Sequence, residues 1–178
     1  MKNITTSLFL AIMMFLMTGL IMEAQSINSA ESKAAFSISN MKWMTVEGTF
    51  TGMKGEISFD ESNPGGSSFN VCMDAASVNT ENQKRDDHLR NADFFDVEKY
   101  PQICFRSSAI SATKKGFVAN GTLEMHGVSK DVTINFTHTT GVFKGDLNIN
   151  RYDYGVGADT GTFMVGEDVS IKITATVY

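Results

Sequence analysis

The sequence predicts an all-β chain that closes into an eight-stranded antiparallel barrel, with one short helical insertion between strands. Three observations carry this. From residue 34 to the end, apolar and polar residues alternate in run after run, the period of a half-buried strand. The runs are separated by short Gly-, Asn- or Lys-rich breaks at hairpin-like spacing, with no βαβ rhythm, so neighbouring strands run antiparallel. The alternation fails at length in one charged place, Arg85 to Pro101, and in a glycine-rich stretch from Asn150 to Gly166.

Taken in order, residues 26–33 are polar and read as a loose start. Ala34 to Ser39 places Phe36 and Ile38 on one face. Asn40 to Met44 reads as one helical turn, its Trp43 as a core or mouth plug, with direct ligand contact as the alternative. Val46, Gly48 and Phe50, then Met53, Gly55, Ile57 and Phe59, read as a long strand pair bent at its glycines. Pro64-Gly65-Gly66 marks a turn. Phe69, Val71, Met73 and Ala75 resume the alternation, and Thr80 is positioned to cap the following helix. Pro101 ends the insertion. Ile103 and Phe105 open the next strand, and Lys114-Lys115-Gly116 forms a hairpin loop. Phe117 to Met125 and Val132 to His138 flank His126-Gly127, a two-residue turn that tolerates positive φ. Thr140-Gly141 turns into Phe143 to Ile149, and Val169 to Val177 closes the sheet.

The inward set across these strands holds no Asp, Glu, Lys or Arg, and His138 is its one titratable member. The outward set includes Asn70, Asp74, Asn120, Glu124, Asp131, Lys144, Asp146 and Lys172. Apolar inside and polar outside is the reverse of a membrane barrel. Eight strands are the size at which a barrel is either filled or holds one small ligand. Gly48, Gly55, Ala75, Ala119, Gly121 and Gly145 fall at inward parity, removing volume that a filled core needs. The expectation is a lumen and mouth lined by Phe36, Ile38, Phe50, Phe59, Val71, Phe94, Phe95, Phe105, Leu123, Ile134, Phe136, Leu147 and Ile171.

Residues 1–24 read as an export signal. Lys2 gives a positive start, and Leu8 to Met22 is apolar apart from Thr18 and Gly19, too short for a confident membrane span. Cleavage after Ala24 is expected, although Met22 is not small; an uncleaved anchor is the alternative. The remainder, 25–178, is one domain, long enough for a real core. Removing Lys2 and Glu23 leaves the net charge at −5. With no basic stripe, nucleic acid is not an expected partner, and stable membrane insertion after signal removal is not expected. Cys72 and Cys104 lie on the polar parity of their strands, sharing the outer face. Export permits a disulfide, which forms only if those strands pair in register.

No catalytic constellation stands out. On a helix, residues one or two apart do not face each other, so neither Asp86 nor Asp87 is placed to orient His88. Structural pairing of Arg85, Asp86, Asp87 and Arg90 with loops is the plainer reading. The other reading is that Arg85, His88 or Arg90 meets a ligand head group, since guanidinium forks suit phosphate. His88, His126 and His138 lack close ligand spacing, which argues against a zinc site. No nucleophile elbow, dinucleotide fingerprint or phosphate loop occurs, and no cofactor is expected.

Arg85-Asp86-Asp87-His88-Leu89-Arg90, then Asp93-Phe94-Phe95-Asp96 and Tyr100-Pro101, resemble the signature of the YceI-like family. Phe36-Ser37-Ile38, Ser77-Val78-Asn79-Thr80, His126-Gly127-Val128-Ser129-Lys130 and Arg151-Tyr152-Asp153-Tyr154-Gly155 extend the resemblance in the same order. It implies a lipocalin-like barrel, a periplasmic or secreted location, and a polyisoprenoid or other long-chain lipid as the ligand. Arg151 to Gly155 is expected to hold the long loop against the barrel wall. The expected function is that of a carrier or sequestering protein, not an enzyme. The rival is a secreted interaction module with a filled core. A homodimer is compatible with either.

Overall fold

The computed structural model describes residues 23–41 and 43–178. All but two residues of the expected export signal lie outside that range. The strands are β1 (Gln25–Ser26), β2 (Lys33–Asn40), β3 (Met44–Phe50), β4 (Lys54–Ser58), β5 (Ser68–Asp74), β6 (Gln102–Thr113), β7 (Gly116–Met125), β8 (Val128–Thr139), β9 (Val142–Asn150) and β10 (Val165–Thr176). The helix α1 spans Gln83–Arg90. One antiparallel sheet runs in the order β1-β4-β5-β6-β7-β8-β9-β10-β2-β3.

Among the described residues ten strands replace the expected eight, for two physical reasons. The expected strand pair with glycine bends is two separate strands, because Gly52 takes φ +68° and turns the chain between β3 and β4. The loose start is partly ordered: Gln25 and Ser26 pair with Ile57 and Glu56. The 40–44 stretch is a hairpin, not a helical turn, since β2 and β3 pair as far as Asn40↔Met44.

β3 and β4 are consecutive but not paired, so the curled sheet has a seam there. It is fastened at both ends. Ile27 donates from its backbone to Gly55 and bridges Val177, tying the chain start to β4 and to the end of β10. Thr49 and Asn79 exchange backbone hydrogen bonds of 2.9 and 3.0 Å.

The two tight hairpins form as their sequences require. His126 and Gly127 have φ of +53° and +75°, and Thr140 and Gly141 +46° and +74°, positive at both central residues as the favoured two-residue hairpin demands. In β6 an extra residue between Ser107 and Ala109 shifts the register. This bulge returns Ile110 to the interior, where it is buried, and re-aims the strand.

The inward glycines do not hollow the barrel as expected. A Cβ on Gly121 would collide with the Arg106 carbonyl opposite the bulge and with the Phe105 ring, and one on Gly48 would enter the Phe36 ring. Neighbours fill these spaces. Of the small inward residues named above, Gly145 alone reaches the cavity wall.

The turns sort to two ends. The β4–β5, β6–β7 and β8–β9 turns lie at one end. The β2–β3 hairpin, the insertion carrying α1, the β7–β8 turn and the β9–β10 excursion lie at the other. At the first end, Phe59 stacks against Phe69, Phe117, Phe136, His138 and Phe143, with ring centroids 4.9–6.1 Å apart. Edge-to-face pairs of this kind add to plain burial. His138 belongs to this cluster with its proton placed: Nε2 accepts from the Gly141 N–H at 3.1 Å, so Nδ1 carries the proton toward Glu61 at 2.8 Å.

Candidate ligand cavity

Above the aromatic cluster lies a cavity of about 500 Å³, within the ~300–1,000 Å³ usual for small-molecule sites. Twelve of the thirteen expected lining residues face it: Phe36, Ile38, Phe50, Val71, Phe94, Phe95, Phe105, Leu123, Ile134, Phe136, Leu147 and Ile171. Phe59 does not. It sits behind the floor, at the centre of the plug, because five rings close around it. Phe69, Phe136 and Phe143 are shared by the floor and the cluster. The wall also includes Met53, Ile57, Met73, Ile103, Ile149 and Ile173, which the alternation placed inward without singling out.

The roof at the other end is built by the insertion. Asn82 caps α1, its Oδ1 accepting from the Arg85 N–H at 3.1 Å. Thr80, the expected cap, has another task. Its N–H and hydroxyl both donate to Asp86 Oδ1, at 2.9 and 2.5 Å, in a buried pocket. Arg85 adds to this knot, donating through Nε to Thr80 Oγ1 at 2.7 Å and through Nη2 to the Thr80 carbonyl at 2.8 Å. Arg85 and His88, three apart, share the helix face over the cavity, and Leu89 joins them. All three belong to the wall.

Arg90, expected as a possible head-group contact, does not reach the cavity. Its guanidinium donates to the Ala76 and Val78 carbonyls, each at 2.8 Å, and to Asp87 at 3.1 Å. It anchors the helix to the segment after β5. Phe94 and Phe95 follow as a wedge. Phe94 is buried edge-on against His88 at 5.0 Å. Phe95 meets Phe50 edge-on at 5.2 Å.

The β9–β10 excursion completes the roof around Arg151, which is 3% exposed. Nε donates to the Gly166 carbonyl, Nη1 to those of Val156 and Gly157, and Nη2 to those of Thr160 and Val165 and to the Tyr152 hydroxyl. The guanidinium also lies 4.0 Å from the Tyr152 ring centre. One side chain therefore organises the long loop, as expected of the late motif. The sequence reading did not foresee that it would line the cavity. The available signal was a lone arginine ending an alternating run and opening a glycine-rich one.

Among the described residues, polar groups in the wall are few: Ser39, Asn40, Arg85, His88, Arg151 and Thr160, with no carboxylate among them. The nearest carboxylate to His88 is that of the exposed Asp93, at 3.8 Å. Among the described residues there is no group of three His, Cys, Asp or Glu side chains able to hold a metal. Trp43 is neither plug nor cavity wall. It is 76% exposed, in the loop between the paired ends Asn40 and Met44. Cys72 and Cys104 are directly paired across β5 and β6 and joined by a disulfide, away from the cavity wall.

Beside the roof, Tyr154 is 1% exposed and its hydroxyl has no hydrogen-bond partner among the described residues. Burial, and secondarily the charge of Asp153, push its pKa up to about 12. The folded state therefore holds this proton more tightly than the unfolded chain. The associated stability is intact below about pH 10 and is lost as pH rises toward 12. Tyr154→Phe is expected to melt at or above the wild-type temperature at pH 8, since an unpaired buried hydroxyl is a cost. It is also expected to lose less stability between pH 9.5 and 11.5, as followed by thermal melts across that range.

The sequence profile of the YceI-like domain matches residues 26–177, nearly all of the described chain. The chain belongs to the YceI-like family. Protein YceI of Escherichia coli O17:K52:H18 is 33% identical over 148 residues, 78% of each chain. Among solved structures, Burkholderia cenocepacia BcnA superposes with a TM-score of 0.76 at 29% identity, covering 84% of this chain and 98% of that one. A polyisoprenoid binding domain from Saccharophagus degradans, implicated in plant cell wall breakdown, gives 0.66 at 19% identity, covering 86% and 97%. The second likeness is one of fold.

Proposed function

We propose that this YceI-like chain is an exported carrier or sequestering protein for an amphiphile with a long isoprenoid or acyl chain. The tail occupies the barrel cavity, and an anionic head group rests beneath α1 at Arg85 and His88. One observation carries this reading: a cavity walled almost wholly by apolar side chains, whose only charged or titratable wall residues among the described residues are Arg85, His88 and Arg151. About ten methylene equivalents buried there gain on the order of 8 kcal/mol gross, reduced by the cost of ordering the chain. Arg85 Nη1 has no protein partner among the described residues, while Nε and Nη2 are held by Thr80. That leaves one arm of the fork for a ligand oxygen. The polyisoprenoid-binding domain of the same fold makes an isoprenoid tail the first choice. Residues 1–24 serve as the export signal in this reading, and the disulfide suits an oxidising compartment.

Native mass spectrometry of protein recovered from its own source without detergent tests the class. A co-purified lipid supports the carrier, and a bare mass supports the rival, a secreted interaction module. The same spectrum counts the copies in any homodimer. Arg85→Gln tests the head group. Binding of dodecyl phosphate is expected to weaken by about 10- to 100-fold, the equivalent of one hydrogen bond to a charged group, with dodecanol binding nearly unchanged. Equal losses for both ligands would make Arg85 purely the anchor of Thr80.

A further inference from the structure

Five of the six large hydrophobic side chains left exposed among the described residues gather at the cavity end of the barrel. They are Met41, Trp43 and Met44 on the β2–β3 hairpin, and Phe163 and Met164 on the β9–β10 excursion. The two loops are joined. The Met41 N–H donates to the Met164 carbonyl at 3.2 Å, and the Trp43 and Phe163 rings meet edge-on at 6.3 Å. Trp43 is 76% exposed and Phe163 54%. Exposed apolar groups gathered in this way mark an interaction surface.

Two observations identify what covers it. Met41 and Met164 are exposed outside and also line the cavity, so the patch continues into the cavity wall and its occupant must allow the cavity's contents to pass. The tip also carries very little charge. Lys42 is the only charged residue from Ser39 to Val46, and none occurs from Thr160 to Gly166. The nearest charges along the chain are Glu47, Asp159 and Glu167, all exposed acids, which disfavour an anionic surface. A tryptophan beside flexible methionines suits the boundary between head groups and acyl chains. A long apolar tail meets a barrier at every methylene that crosses water, and a mouth seated in a bilayer removes that barrier.

We propose that Met41, Trp43, Met44, Phe163 and Met164 form a docking tip that inserts into the surface of a zwitterionic phospholipid bilayer, where ligand is loaded and released. This rests on the lipid-carrier reading. Trp43 is the only tryptophan in the chain, so intrinsic fluorescence reports on the tip directly. The test uses protein recovered after export, with its N-terminus mapped so that the apolar 8–22 segment is absent, and phosphatidylcholine vesicles. Co-flotation with the vesicles and a blue shift of Trp43 are expected, both largely insensitive to salt. Met44→Ser with Phe163→Ser, both at exposed positions, is expected to abolish flotation. It should slow transfer of a fluorescent fatty probe from vesicles by about tenfold or more, with unchanged affinity for the same probe added from ethanol. Wild-type protein that binds the ethanol-delivered probe but neither floats nor shifts would overturn the docking tip and leave the carrier intact. Protein that floats but takes up no probe would overturn the carrier reading and leave the tip. Flotation unaffected by the double substitution would place the contact elsewhere and overturn the assignment.

Discussion

Replacing Phe94 and Phe95 together with alanine is expected to accelerate release of a bound lipid probe by about 10- to 100-fold. A fully buried ring is worth ~1.5–3 kcal/mol, but both rings also pack on the protein, so the ligand loses about 1.4–2.8 kcal/mol from the pair together; every 1.4 kcal/mol is about tenfold in affinity, and such losses fall mainly on the off-rate. Both rings belong to the cavity wall, Phe94 against His88 and Phe95 against Phe50. Truncating a buried ring also costs about 3–5 kcal/mol of stability, so a denaturant melt must accompany stopped-flow displacement. A lowered melt with an unchanged release rate from the remaining folded protein would reduce the wedge to a structural element. Arg90→Ala serves as the contrast. It loosens the helix anchor at the Ala76 and Val78 carbonyls without removing a wall residue, so it should lower stability without discriminating between head groups.

Arg151→Met should be the most disruptive single change in the roof. Five backbone carbonyls and the Tyr152 hydroxyl lose the arginine donor at once, and of the carbonyls Thr160 keeps a hydrogen bond from the Tyr152 hydroxyl. A buried acceptor left unpaired costs ~1–3 kcal/mol, and several of these regain water as the loop loosens, so a net loss of about 3–5 kcal/mol is expected. Arg151→Lys should recover little, because one ammonium with three donors cannot replace a planar fork with five. Hydrogen exchange separates this from global unfolding. The amides of residues 152–165 are expected to lose protection while the β6–β7–β8 core of the sheet keeps it. A melt unchanged by the substitution would mean that the loop is held by something else.

Most of the strand plan was legible because the barrel buries one face only, and a period of two then states which side chain points where. The alternation placed ten of the twelve cavity residues on the wall without any knowledge of neighbours; Phe94 and Phe95 belong to the insertion, where the period does not run. It failed where local chemistry overrides period. Phe59 has inward parity but lies at a strand end, and only the meeting of five other strand-end rings turns it from wall into plug. Trp43 was expected inside because large aromatics mostly pack, yet the Asn40↔Met44 pairing leaves it in the exposed loop. Gly48 and Gly121 suggested empty space, but whether a missing side chain leaves a hole depends on what enters from across the sheet, and rings enter here. The helix cap illustrates the same point on a smaller scale. Thr80 and Asn82 are both good caps by type, and the buried carboxylate of Asp86 claims the threonine.

The aromatic plug makes the barrel a blind tube. On the proposed carrier reading, a chain that enters tail-first at the roof stops against Phe69, Phe136 and Phe143, with its head group left near Arg85. Such a vessel acts as a gauge of length. Each added methylene strengthens binding by about 0.8 kcal/mol until the tail reaches the floor. Beyond that point further carbons must fold back or emerge at the rim and contribute far less. A tube open at both ends would show no such break, and it would let the first carbon in be the first one out. In a blind tube the last carbon to enter is the first to leave, so the head group is always the part presented to whatever receives the ligand next.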